Sequence, residues 1–361
     1  MKNTKSIDLD EKVVFNISRL GVKTIKNKNI AIGILIIMLA AIFLLSFTLG
    51  RYAIPLPELL NILIGKFLNL PATWPKSEEM VLFQVRIPRI FAALLIGTAL
   101  SASGAAYQGL FKNPMVSPDI LGASSGAGVG AVIAILLSFG SVGMQLMAFI
   151  MGLIAVALTY IISSIIGRHR SSIVLLVLIG MVVSNIFSAI ISITKYLADP
   201  DNKLPTITFW LMGGLSVIDG SDILMFLIPF TLGIVPLILI RWKINILSFG
   251  DEEAKTLGVD TRRMRLIIII CSTMLTAAAV SISGMISWIG LIIPHIARII
   301  VGPNYKILLP VSMIIGGGFL LLVDDFARNM FTLEVPLGIL TSIIGAPLFL
   351  YLLLKSKKSW A

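Results

Sequence analysis

The sequence predicts an all-α integral membrane protein, and three observations carry that prediction. Of the 361 residues, 57% are hydrophobic and only 13% are charged. The charge is confined to short segments. Between those segments lie runs of about 20 apolar residues, the length at which a helix crosses a bilayer core of roughly 30 Å. The runs are apolar on all sides, whereas helices around a soluble core keep a polar face. Ten spans are expected: Ile30–Leu49, Ile87–Tyr107, Ile120–Phe139, Met144–Ile166, Ile173–Leu197, Ile223–Ile240, Leu266–Ile282, Met285–Ile300, Ile307–Val323 and Leu337–Leu354.

Residues 1–28 form a polar lead-in containing Lys12, Arg19, Lys23, Lys26 and Lys28. No small-residue cleavage site follows the first span, so the segment reads as a cytoplasmic lead-in and not as a removable signal. Residues 29–361 form a single transmembrane domain. The second span opens with Arg86 and Arg89 on either side of Pro88. Residues 108–122 join the second and third spans, and Asn113-Pro114 and Ser117-Pro118 enforce a rigid turn there. Such a loop either gates a pathway at the inner mouth or simply connects two helices. Gly122, Gly126 and Gly130 recur every fourth residue in the third span, a spacing that lets a neighbouring helix approach closely. Ile207–Ile218 is too short to cross and is expected to dip into the outer surface.

The polar stretch Leu247–Arg265 separates the sixth and seventh spans. Asp251, Glu252 and Glu253 suit the first turn of a helix, where acidic side chains complement the dipole. Gly258 is placed to end that helix and Asp260 to cap the next. A compact helix-turn-helix on a membrane protein is a handle for something outside the membrane. Gly290 and Pro294 interrupt the eighth span, and His295 and Arg298 follow within a turn. A lone histidine there more often satisfies a hydrogen bond than binds metal. Asp324 and Asp325 lie at the outer end of the ninth span, and Arg328 follows them. There is also a faint internal echo. Ser101-Ala-Ser-Gly104 precedes Pro114 by ten residues, as Ser281-Ile-Ser-Gly284 precedes Pro294, which suggests inverted five-helix repeats.

With the N-terminus inside, 21 of the 29 Lys and Arg residues fall on the cytoplasmic side and 8 outside. The inner set includes Arg168, Arg170, Arg241, Lys243, Arg262, Arg263, Arg265, Lys355, Lys357 and Lys358. This positive-inside pattern accounts for the net charge of +11 without a nucleic-acid partner. It also places Leu247–Arg265 in the cytoplasm. On the outer face, Arg86, Arg89 and Arg328 stand out where positive charge is otherwise scarce. They either snorkel to headgroups or present guanidinium forks to carboxylates of an external docking protein, and the scarcity favours docking.

Catalysis finds little to work with. The two histidines include His169, between Arg168 and Arg170 in an expected cytoplasmic turn. There is no His-Glu metalloprotease pairing, Gly-x-Ser-x-Gly elbow or phosphate loop. The chain is therefore expected to be no enzyme and to hold no metal or cofactor; if ATP drives it, another chain binds the ATP. Cys271 is the sole cysteine, which excludes an intrachain disulfide, and it reads as a small buried core residue. Carboxylates are scarce within the spans, which weighs against an ion-coupled carrier. An intramembrane enzyme would need a deep polar catalytic group, and His295 has no evident partner.

Several motifs in order resemble the permease subunits of bacterial ABC importers for iron-siderophore, haem and cobalamin. They are Arg86-Ile-Pro-Arg89, Gly104, Gln108, Asn113-Pro114, Pro118, Leu121-Gly122 and Gly126-Ala127, then Phe209-Trp-Leu-Met-Gly-Gly214 and Gly250-Asp-Glu-Glu-Ala-Lys-Thr-Leu-Gly258. The segment from Gly284 through Trp288, Gly290 and Pro294-His295 to Arg298 also matches, as do Arg328, Glu334-Val-Pro-Leu-Gly338 and Gly345-Ala-Pro347. Trp288 stands where the family more often has Phe. The resemblance covers nearly everything after residue 30 and implies ten spans per subunit. It implies a homodimer, sometimes a heterodimer, with two cytoplasmic ATPases holding ATP and Mg2+ and one external substrate-binding protein, in the bacterial inner membrane with both termini cytoplasmic. Gly250 to Gly258 would be the coupling helix seated in the ATPase, with Asp251, Glu252, Ala254 and Leu257 as its contacts. Arg86, Arg89 and Arg328 would receive acidic residues of the binding protein. Asn113 and Met115 fall where the family narrows its inner gate, with Pro114, Pro294 and His295 beside that pathway. The expected cargo is a metal chelate, a ferric siderophore first by family frequency, with haem, cobalamin and molybdate as alternatives.

Overall fold

The computed structural model describes residues 28–52, 54–167, 173–330 and 333–356. The lead-in before Lys28, together with Arg168, His169, Arg170, Lys357 and Lys358, lies outside the described residues. Among those described, the chain is helical with no strand.

In chain order the elements are α1 (Lys28–Thr48), α2 (Leu56–Phe67), α3 (Lys76–Met80), a π-helical turn Val81–Arg86 and α4 (Ile87–Leu110). A 3-10 turn, Pro118–Leu121, leads to α5 (Ala123–Leu136), α6 (Ser141–Ile166), α7 (Ile173–Leu197) and α8 (Lys203–Met212). Then come α9 (Gly220–Phe249), α10 (Asp251–Thr256), α11 (Thr261–Ser283), α12 (Ile289–Val301), α13 (Tyr305–Asn329) and α14 (Leu337–Ser356). Among the described residues, eight helices are long and apolar enough to cross a membrane; the second of them runs unbroken from Lys76 to Leu110, ~52 Å at 1.5 Å per residue.

Eight of the ten expected spans are helices of crossing length, and the other two are shorter apolar helices. The third and eighth spans are helices of 14 and 13 residues, ~21 and ~20 Å long and short of a full crossing. The physical reason lies in how each begins. Gly122, with φ +91°, separates the 3-10 turn from α5, and residues 284–288 run without helix before α12. Non-helical backbone at such depth is tolerated only where protein surrounds it and its polar groups are met. Here Gly214 N donates to Ser283 O (2.8 Å) and Leu337 N to Gly213 O (2.9 Å), which ties three chain breaks together. The internal echo does not mark equivalent local structure: Ser101–Gly104 is mid-helix in α4, while Ser281–Gly284 closes α11. Pro114 lies in the turn after α4 and Pro294 inside α12. Helices α2 and α3 and the π turn fall in residues 50–86, where no span is expected. The apolar piece Ile207–Ile218 is shorter as a helix, ending with α8 at Met212.

α4 sits at the centre, with 19 of its 24 residues buried. Its run of Ala, Gly and Ser lets neighbours approach to backbone contact. A Cβ on Gly104 would lie 1.8 Å from Gly290 O of α12, so neither partner helix admits even a methyl group there. The expected glycine seam of the third span is present at Gly126 and Gly130, whose added Cβ atoms would meet α6 backbone oxygens at 2.5 and 2.3 Å. Hydroxyl groups add interhelical bonds: Ser103 Oγ lies 2.8 Å from Thr276 Oγ1 and donates to Ser272 O at 3.0 Å, and Tyr107 Oη lies 3.1 Å from Thr273 Oγ1. These fasten α4 to α11. Cys271 is buried among them, as expected for a small core residue.

Candidate functional site

The residues singled out by sequence gather at the two ends of the bundle. At one end, Arg86 lies on the π turn, Arg89 on the first turn of α4 and Arg328 on the last turn of α13. None is more than 5% exposed. Each guanidinium turns inward onto acceptors of this chain and is not presented outward to solvent. Arg86 donates to the carbonyls of Phe47 (2.5 Å) and Tyr52. Arg89 Nε donates to Asp324 Oδ1 at 2.9 Å, and its Nη1 donates to Glu334 Oε2 at 2.9 Å. Arg328 Nη2 pairs with Asp325, whose other oxygen accepts from Ser46 Oγ at 2.5 Å. Arg328 Nε lies 3.2 Å from Asp324 Oδ2 without the alignment of a hydrogen bond. Three guanidinium and three carboxylate groups thus bind α1, α4, α13 and the segment before α14 together. Asp324 is fully buried, while Glu334 is 32% exposed and forms the rim.

The opposite end carries α10. Its local structure follows the sequence reading closely. Asp251, Glu252 and Glu253 occupy the first turn. Gly258, at φ +75°, ends the helix by donating to Lys255 O (2.9 Å) while Val259 N donates to Ala254 O (2.9 Å). Asp260 Oδ1 then caps α11 by accepting from Arg263 N at 3.1 Å. Arg265 on the first turns of α11 pairs with Asp251, so the handle is fixed to a long helix at both ends. Ala254 is fully buried against the rest of the chain, which removes it from any partner-facing surface, whereas Leu257 is 63% exposed. A cavity of about 440 Å³ lies beneath the handle, lined by residues that include Tyr160, Ser163, Leu176, Lys255 and Arg265.

The turn after α4 reaches the same end. Asn113 Oδ1 accepts from Met115 N at 2.9 Å, and both side chains are exposed, with Pro114 half-buried between them. Pro294 is buried in α12 and His295 is half-buried beside it. Sequence reasoning missed the polar network that steadies this end. Gln108 Nε2 donates to Leu291 O at 3.0 Å, and its Oε1 accepts from Arg298 Nη2 at 3.1 Å. Arg298 also donates to Tyr305 Oη at 3.2 Å, and Asn245 Oδ1 accepts from Tyr305 N at 2.8 Å. The legible signal was Gln108 itself, the single amide of α4.

The arginine end makes a quantitative prediction. Arg89→Met or Asp324→Leu alone leaves a buried charge without its partner and should cost about 3–5 kcal/mol. The double variant should lose clearly less than the sum, because the two groups share one interaction. Thermal unfolding of purified protein followed by tryptophan fluorescence measures the cycle, and strict additivity would refute the pairing.

Two short chain ends facing opposite ways, a capped handle at one and a gathered arginine cluster at the other, on a bundle of mainly transmembrane helices, fit the motif resemblance. Comparison with known proteins agrees. The FecCD transport family matches residues 36–355. The chain is 40% identical over 324 residues to the molybdate import system permease protein MolB of Haemophilus influenzae, covering 90% of this chain and 95% of that one. It is 38% identical over 281 residues to a probable iron chelatin transport system permease protein of Helicobacter pylori, covering 78% and 84% of the two chains. A solved structure described as an inward-facing conformation of a metal-chelate type ABC transporter superposes with a TM-score of 0.81 at 39% identity, covering 91% of this chain and all of the other. The chain belongs to the FecCD transport family and is a multi-pass permease of an ABC importer.

Proposed function

We propose that two copies of this chain form a pathway that carries a metal chelate, in the first instance a ferric siderophore, inward across the bacterial inner membrane. On this reading both termini and α10 face the cytoplasm, and two separate ATPase subunits hold the ATP and its Mg2+. The observation that carries the proposal is the surface of α10. One side is anchored through Ala254, while Glu252, Glu253 and Leu257 project outward. An exposed leucine on a capped, rigid turn suits insertion into an apolar cleft of a motor protein.

The route from handle to gate is continuous. A push on α10 passes to α11 through Asp251–Arg265 and the Val259–Ala254 bond. From α11 it passes to α4 through the Ser103 and Tyr107 hydroxyls, and α4 leads directly into Asn113–Met115. Energy supplied by the ATPase needs only to favour one of two helix arrangements over the other. Leu257→Asp should leave the fold intact, because the side chain is exposed, and should abolish transport-coupled ATP hydrolysis in liposomes containing both subunits. Coupled transport at the unaltered rate would rule out this seat.

The arginine end is proposed as the place where the external binding protein docks, through exchange and not through free guanidinium groups. Glu334 is the accessible member of the network, so an incoming carboxylate competes with it for Arg89. Glu334→Gln removes the competitor and should tighten docking by about fivefold, the equivalent of about 1 kcal/mol for a partly exposed pair. Titration of immobilised permease with its binding protein measures this, and weaker docking by the variant would contradict the exchange.

For the cargo, support for a ferric chelate comes from the iron-chelatin relative and the metal-chelate type structure. A second reading, molybdate, is favoured by the relative at 40% identity; cobalamin and haem are further members of the same class of cargo. The binding protein captured on the permease should carry iron in elemental analysis, with an organic chelator in its mass spectrum. Molybdenum in place of iron would transfer the assignment to the second reading.

A further inference from the structure

Away from both functional ends of α4, a crevice of about 250 Å³ opens between α6, α9 and α11. It sits at the end of the bundle opposite α10. Gln145 is in the second turn of α6, Asp222 is the third residue of α9, and Ser281 is two residues from the end of α11. These positions place it at the depth where headgroups meet acyl chains, roughly 6 Å or less from the helix ends. Its walls are apolar, with Phe149, Phe226 and Ile282 among them, and its rim includes Leu146 and Ile228, which are exposed on the flank of the bundle.

The polar groups of the crevice include two acceptors without a donor. Gln145 is 7% exposed, and its Nε2 is committed to Asp222 Oδ1 at 2.7 Å. Its Oε1 is buried and has no hydrogen-bond partner, an arrangement that is costly unless something supplies a donor. Pro229 has no N–H, so the carbonyl of Met225, which also lines the crevice, lacks its usual helical donor. The hydroxyl of Ser281 is already donated to Ala278 O at 2.9 Å. Asp222 Oδ2 accepts from Asp219 N at 3.0 Å, and Asp219 itself is exposed. Hydrogen bonds from Ser221 and Asp222 hold the Asp219 carboxyl below the usual carboxylate range, so it is ionised at neutral pH. The crevice is therefore an apolar groove whose polar end is Gln145, with an orphaned amide oxygen and with the Asp222 carboxyl hydrogen-bonded directly behind it.

We propose that this crevice binds an ethanolamine phospholipid, whose ammonium donates to Gln145 Oε1 beside Asp222 while one acyl chain lies along Phe149, Phe226 and Ile282. Charge and donor count select the headgroup. An ammonium brings three N–H donors and no acceptor, whereas a choline headgroup carries the same charge with no N–H, and a glycerol headgroup leaves the lipid's net negative charge near the Asp222 carboxyl. Apolar walls favour hydrocarbon over a water cluster.

Native mass spectrometry of the full chain, exchanged into micelles containing equal phosphatidylethanolamine, phosphatidylcholine and phosphatidylglycerol, tests this. The ethanolamine lipid should be retained about tenfold over the choline lipid, with retention falling stepwise through the N-methyl and N,N-dimethyl headgroups. Equal retention along that series, or preferential retention of phosphatidylglycerol, overturns the proposal without need of any variant. Ile282→Trp, which fills the groove and leaves the Gln145–Asp222 pair in place, should remove the bound lipid; an unchanged adduct would place the lipid elsewhere. Gln145→Leu should erase the headgroup preference, and a preference that persists would remove Gln145 from the site.

Discussion

The close passage of α4 against its neighbours is the constraint on which the rest of the molecule depends. Lipid tails are as apolar as leucine, so helices in a bilayer are held by short-range packing and by hydrogen bonds. α4 meets that requirement with a surface of Ala, Gly and Ser on which α11, α12 and α13 converge. The contact of Gly104 with the Gly290 carbonyl fixes where the short helix α12 lies. That position in turn puts Leu291 O within reach of Gln108 and Arg298 within reach of Tyr305. A helix made of larger side chains would stand these neighbours off and leave both functional ends without their partners.

Charge is distributed on the same plan. Buried charge is gathered at the arginine end, where the fully buried Asp324 is shared between Arg89 and Arg328. Breaking one member exposes the cost of desolvation, whereas the intact cluster joins four segments far apart in sequence. Beneath the turn after α4, the opposite end uses the Gln108 and Asn245 amides, the Tyr305 phenol and the Arg298 guanidinium. One end is thus a stiff ionic clasp and the other a network of weaker bonds beside the α10 handle, an asymmetry that suits a machine driven from the handle side.

Much of this was legible from residues alone. Apolar runs of bilayer length located eight crossing helices, and Ile173–Leu197 matched to the residue. The caps of α10 and α11 were legible because their chemistry is local: acidic residues in a first turn, glycine at φ +75°, aspartate before a helix. The burial of Arg89 was not legible, because Asp324 and Glu334 lie 235 and 245 positions away from it. Nothing local distinguishes a guanidinium that faces water from one that folds back onto a remote carboxylate. The two short helices were only half visible. Gly290 and Pro294 flagged the second, but the runs around both were apolar enough to look like complete crossings. Residues 50–86 carried no run of spanning length, so α2, α3 and the π turn escaped a reading based on bilayer thickness.

The unbroken helix from Lys76 to Leu110 also governs how this chain can tolerate insertions and deletions. Adding one residue between Arg89 and Gln108 would turn one end about 100° relative to the other and lengthen the rod by ~1.5 Å. Arg89 would then swing off Asp324, or Gly104 off Gly290, because both contacts are made from within the one helix. Lineages that adapt such a chain to thicker or thinner bilayers must therefore change its side chains or its tilt, because the residue count of this one helix is locked by contacts at both its tips and its middle.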